Sequence, residues 1–288
     1  EYVHIFNNNQ FKSDFDGQFG KMSLINLTLQ SCYLGRPNTE NLFENLISDD
    51  DENYSRYLFF YSNYLISKNN TIKVKNILKD IEPIKSTLLI AQLKKSIDIG
   101  NYDSLRNIFS CKNASDIISE FLFIISTLYS SEDEIGRSNF YFNLSYFLNP
   151  KFKFNLALLA DNYFQQKEFD DLKRILKKIN KKNEIYYWYK IKKTAEIIKY
   201  EESEEKSFEY INNKFNELKK PSLKILYEMG NLSKNFKKYN LAIKYYTKVL
   251  SKLDPESEIY ANILYRRGGS YERLGNKNKS DKDLLKSL

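Results

Sequence analysis

Small residues recur down the second half of this chain at an almost fixed interval. They are Ser126, Ala160, Ala195, Gly230 and Gly268, at steps of 34, 35, 35 and 38 residues. A period of that size, held over five units, calls for a stack of like supersecondary units, because one such unit cannot bury its apolar face alone. Around each small residue the apolar positions keep helical spacing, as in Leu156, Leu159, Ala160 and Tyr163, or Ile191, Ala195 and Ile198. A second small residue falls twelve positions later, at Ser138, Ala242 and Ser280, each followed four residues on by Phe142, Tyr246 or Leu284. The pattern predicts two helices per unit, A and B, that touch at the small residues, where a larger side chain would push them apart. Tyr246 and Leu284 are expected to fill the gap toward the next unit.

Two stretches carry the pattern most fully. One is Leu226-x-x-Met229-Gly230-x-x-Ser233 with Ala242-x-x-x-Tyr246 and Pro255; the other is Leu264-x-x-Arg267-Gly268-x-x-Tyr271 with Ser280-x-x-x-Leu284. Both resemble the tetratricopeptide repeat. The resemblance implies an all-α fold, a right-handed superhelical solenoid of antiparallel helix pairs, with about seven pairs in a chain of this length. Phe147–Phe152 with Leu156–Asp161, and Leu264–Gly275, further resemble a group of bacterial, especially alphaproteobacterial, tetratricopeptide proteins. That likeness implies a periplasmic or envelope location and brings no enzymatic activity with it. Residues 117–288 are the clearer repeats. Residues 1–116 read as degenerate helical repeats, continuous with the rest as one solenoid, since no Gly/Ser-rich or Pro-rich linker intervenes. The chain begins at Glu1 rather than Met and stops at Leu288 inside a helix B, so it is expected to be a fragment.

Composition narrows the class. Only 9 Gly and 5 Pro in 288 residues disfavour an all-β fold, which needs a turn at every strand end. The formal net charge of +8 would suit nucleic acid or an acidic surface, but acidic runs such as Asp49–Glu52 and Glu201–Glu202 interrupt the basic ones, as on solvated faces. Two cysteines, Cys32 and Cys111, are too few for a disulfide framework or a zinc site, and their place in different repeats argues against a bridge. No apolar run is long enough for a transmembrane helix.

Candidate chemistry is sparse. The single histidine, His4, sits in an ill-defined start. Gly268-Gly269 lies within a helical pattern and lacks the Lys-Ser/Thr of a phosphate cradle. No His/Cys/Asp cluster has ligand spacing. The chain is therefore expected to have no catalytic residue, cofactor or metal, and to act by recognition.

In a helical solenoid the A helices line the concave face. The residues placed there by spacing are Phe154 and Phe164; Tyr189, Lys192 and Lys199; Lys224, Tyr227 and Lys234; and Tyr265. Aromatic anchors among basic groups suit a peptide or protein segment with acidic or apolar side chains. A carboxylate clamp of the chaperone type is excluded, because Glu196 and Glu228 would stand beside Lys192, Asn262 and Arg266 and repel the incoming carboxylate. RNA binding is disfavoured as well, since the Lys173, Arg174, Lys177, Lys178, Lys181, Lys182 run belongs to a helix B. An accessory domain of a larger enzyme or envelope assembly is the alternative role.

Overall fold

The computed structural model describes residues 5–7, 20–48 and 55–288. The expectations attached to His4 and to the acidic run at 49–52 lie outside the described residues. The described chain is all-helical, and its helices pack as adjacent pairs joined by short turns. In order they are α1 (Lys21–Leu34), α2 (Thr39–Ile47), α3 (Ser55–Ser67), α4 (Thr71–Leu78), α5 (Leu88–Asp98), α6 (Tyr102–Arg106), α7 (Ala114–Ser131) and α8 (Ile135–Leu148). Then come α9 (Phe154–Gln165), α10 (Phe169–Lys177), α11 (Glu184–Glu201), α12 (Glu204–Asn216), α13 (Leu223–Asn235), α14 (Tyr239–Leu250), α15 (Glu258–Arg273) and α16 (Lys277–Lys286). Local side-chain caps set many of the starts. The Asn183 carboxamide accepts from the Ile185 and Tyr186 amides, and the Ser203 and Ser222 hydroxyls accept from Lys206 and Ile225.

The helices form two compact units. One takes the described residues up to Ile81 together with Thr87–Ile179; the other takes Glu82–Ser86 and Asn180–Leu288. The division falls at Ile179. The reason lies in the first unit, where Arg56 of α3 is tied to Glu120 of α7 and to Asn155 of α9.

The first unit has an apolar core around α3, but polar contacts line the seam between α7, α8 and α9. The Ser126 hydroxyl donates to the Ser138 carbonyl at 2.7 Å, and Ser119 and Ser145 exchange bonds with each other's carbonyls, so α7 and α8 approach closely with their buried hydroxyls satisfied. Asn162 of α9 donates to Ser138 and Asn139. Arg56 lies within this unit's core, bonded bidentately to Glu120, with its guanidinium 3.3 Å from the Phe123 ring centre and 4.5 Å from that of Phe152.

Cys32 and Cys111 are joined by a disulfide, which overturns the expectation of two separate thiols. Sequence separation misled because α3 draws the two ends together. Phe60 on α3 stacks on Phe109 with ring centres 3.9 Å apart, and this brings the loop after α6 to the end of α1, at a Cα–Cα distance of 5.8 Å.

In the second unit the small residues mark tight contacts within a repeat. A Cβ added at Gly230 would lie 2.8 Å from the Tyr246 ring, and one at Gly268 would lie 3.1 Å from Leu284. Tyr246 and Leu284 thus cover the glycines of their own repeats, and Tyr246 also meets Arg266 on the A helix of the next. Ala195 is buried, and its carbonyl accepts from Ser207. Tyr246 is fully buried and its hydroxyl donates to Asn231, so it cannot swing away, whereas Leu284 is half-buried and can yield. Gly230→Leu should therefore cost about 1–3 kcal/mol through overpacking, and more than Gly268→Leu. Urea unfolding followed by the single tryptophan, Trp188, which lies in this unit's core, checks the order.

Candidate functional site

The A helices of the second unit, α11, α13 and α15, present one connected polar face. Its centre is Glu228 on α13. One carboxylate oxygen accepts from Lys192 at 2.5 Å and from the Trp188 indole at 2.9 Å; the other lies 3.2 Å from Lys224. Burial pushes the Glu228 carboxyl up, but Lys192 and Lys224 pull it down further and leave it below the ordinary carboxylate range. Burial also lowers the Lys224 ammonium.

Lys224 does more than balance Glu228. Its ammonium donates to the carbonyls of Ile84 at 3.0 Å and Ser86 at 2.7 Å. These belong to the short turn Glu82–Ser86, which packs on this unit with the Ile84 side chain 1% exposed in the unit's apolar core. The turn is tightened internally, with the Ile84 amide donating to Glu82 and the Ser86 hydroxyl to the Pro83 carbonyl. Lys85 adds an exposed ion pair with Glu258. The face thus already holds a short piece of chain, by two main-chain carbonyls and one apolar side chain.

Farther along, a second group links α13 to α15. Arg266 donates to Asn262 at 3.0 Å and reaches Asn231 at 3.4 Å, and its guanidinium stands over the Tyr227 ring. Lys234 lies near Arg266 and Arg273; burial and those two cations hold its ammonium below the usual lysine range. Tyr265 projects from α15 with 62% of its surface exposed.

The structure thus brings Lys192 and Lys224 together, and sets Lys234 near Arg266. Other expected groove residues fall elsewhere. Tyr189 and Tyr227 are buried, Tyr227 within the unit's apolar core, so neither ring is open to a partner; the spacing that placed them on the concave side also fits the seam between A helices. Phe154, in the first unit, packs on Phe123 and Phe152 around Arg56. Phe164 packs on Phe169 across the turn to α10. Lys199 reaches the Phe236 ring and pairs with Glu204 at the start of α12, away from Glu228.

The sequence reading missed the Glu82–Ser86 turn. The signal was an isoleucine beside a proline in a connection that also holds Lys79, Asp80, Glu82 and Lys85, where an apolar side chain needs a reason. Glu228 was read only as an obstacle to an incoming carboxylate. In the structure it fixes the two lysines that flank it.

A tetratricopeptide repeat family model matches residues 223–255, which span α13 and α14. Among solved structures, BtubC (BKLC) from P. vanneervenii is similar over 96% of this chain and 90% of that one, at 10% identity and a TM-score of 0.32. No curated protein matches. Among the described residues, no group of three or more His, Cys, Asp or Glu is arranged to hold a metal ion, and no helix is long and apolar enough to cross a membrane.

Proposed function

We propose that this chain is a non-catalytic protein-interaction scaffold whose second unit binds a partner segment along α13 and α15. The observation that carries the proposal is the Glu82–Ser86 turn, held by Lys224 through two carbonyls and by burial of Ile84. A face built to hold a short segment by main-chain capture and one apolar anchor is suited to a second segment beside it. The neighbouring surface offers Tyr265 as a rigid aromatic contact, and Lys234, Arg266 and Arg273 as crowded like charges that an acidic segment would relieve. The partner is a protein or peptide segment with acidic side chains, and nucleic acid is not required. The Cys32–Cys111 disulfide supports an oxidising compartment, in keeping with a bacterial periplasm or envelope.

The test is photo-crosslinking in the source cell, with p-benzoylphenylalanine in place of Tyr265 and, as a control, in place of exposed Leu285 on α16. A discrete protein adduct at position 265 that is missing at 285 supports the proposal. Identical adducts at both positions, or none at 265, contradict it.

A further inference from the structure

A separate feature lies in the first unit. A cavity of about 570 Å³ opens where the end of α1, the end of α3 and the loop after α6 converge, beside the Cys32–Cys111 disulfide. Four cationic side chains line it: Arg36, Lys68, Arg106 and Lys112. None of its lining residues is Asp or Glu; Asp103, which pairs with Arg106 at 3.2 Å, is not part of the wall. Two of the cations are partly used by helix ends. Lys112 donates to the Tyr33 carbonyl at 2.7 Å, and Arg106 donates to the Ile66 carbonyl at 3.1 Å and to Asn69 at 2.9 Å. A helix C-terminus offers only about half a negative charge, so Lys68 and Lys112 leave the wall with an excess of positive charge. The Lys112 ammonium registers it, held below the usual lysine range by burial and by Lys68.

The rest of the wall is aromatic and polar. Phe60, Tyr64 and Phe109 supply ring surface. Asn63, on the same wall and 4% exposed, has neither its amide nitrogen nor its carbonyl oxygen in a hydrogen bond. An unpaired buried carboxamide is costly, and a ligand that both accepts and donates would satisfy it. Size, excess positive charge, ring surface and an unpaired amide converge on one ligand chemistry.

We propose that this cavity binds a small organic anion. Its carboxylate, sulfonate or phosphate group would lie among Lys68, Lys112, Arg36 and Arg106, and its flat apolar body against Phe60, Tyr64 and Phe109. The volume suits a molecule of ordinary ligand size. The site lies outside the partner-binding face and is independent of it.

The experiment titrates the intact chain with 8-anilinonaphthalene-1-sulfonate and, separately, with uncharged N-phenyl-1-naphthylamine, which has the same rings without the sulfonate. Binding is followed by calorimetry. Lys68→Glu is the variant, because Lys68 is solvent-exposed and its side chain supports no helix end. A thermal melt of the variant confirms that it folds. The expected result is saturable binding of one sulfonate dye per chain, at least tenfold tighter than the neutral dye, and weakened at least tenfold by Lys68→Glu. Equal affinity for the two dyes, or sulfonate binding unchanged in the variant, would overturn the proposal.

Discussion

Arg56→Ala is expected to destabilise the first unit by about 3–5 kcal/mol, the range for breaking a buried ion pair from one side. The substitution strands Glu120, which is 1% exposed and among the described residues otherwise has only the Tyr57 hydroxyl, at 3.4 Å. It also empties the space among Phe60, Phe123 and Phe152 that the guanidinium fills. Two further measurements separate the charge effect from the cavity. The double variant Arg56→Met/Glu120→Leu should recover most of the loss, because replacing both partners with apolar groups removes the desolvation penalty with the attraction.

The second measurement is pH. Burial already pushes the Glu120 carboxyl above the ordinary range against the pull of Arg56. Without Arg56 only the upward push is left. A carboxyl raised in the folded state binds more protons folded than unfolded, so stability falls as pH rises from the unfolded value, about 4.3, through the folded one. Arg56→Ala should therefore recover stability as pH is lowered from neutral toward 5. Urea midpoints at several pH values read this directly, and a loss independent of pH would assign the effect to packing alone.

The disulfide carries the second large effect. Cys32 and Cys111 are 79 residues apart in sequence, so the cross-link removes much of the unfolded chain's freedom. Reduction, or Cys111→Ser, should cost about 2–4 kcal/mol and lower the melting temperature by roughly 5–15 °C. Melts with and without reductant measure it. Because Cys111→Ser removes the same bond, the variant's melt should not respond to reductant. Coincident wild-type melts with and without reductant would contradict the prediction.

The second-unit repeats were legible because their constraint is steric and local. Gly230 and Tyr246 must touch, Ala195 must be small, and a fixed period records both facts in the sequence. The Arg56 cluster was not legible. Its partners are 64 and 99 positions away, and a charged residue with an aromatic residue three or four positions on reads as a surface helix until burial is known. The disulfide failed for a related reason, since helix order in sequence does not say which loops meet. On the candidate face, spacing brought Lys192 and Lys224 to one side of their helices. It could not tell a tyrosine on the open face from one in the seam between helices, which is how Tyr227 and Tyr265 were given the same role although only Tyr265 is exposed.

The claim that the second unit's face receives an acidic protein segment is tested most directly by selecting a random peptide display library against the intact chain. Enriched peptides are then compared on wild type, Tyr265→Ala and Lys234→Gln. The account predicts enrichment of peptides carrying Asp or Glu beside an apolar residue. It further predicts that each variant weakens them several-fold, about 1 kcal/mol per contact, with the thermal melt unchanged and with affinity falling as salt is raised. Peptides without acidic residues, or binding indifferent to both substitutions, would contradict it.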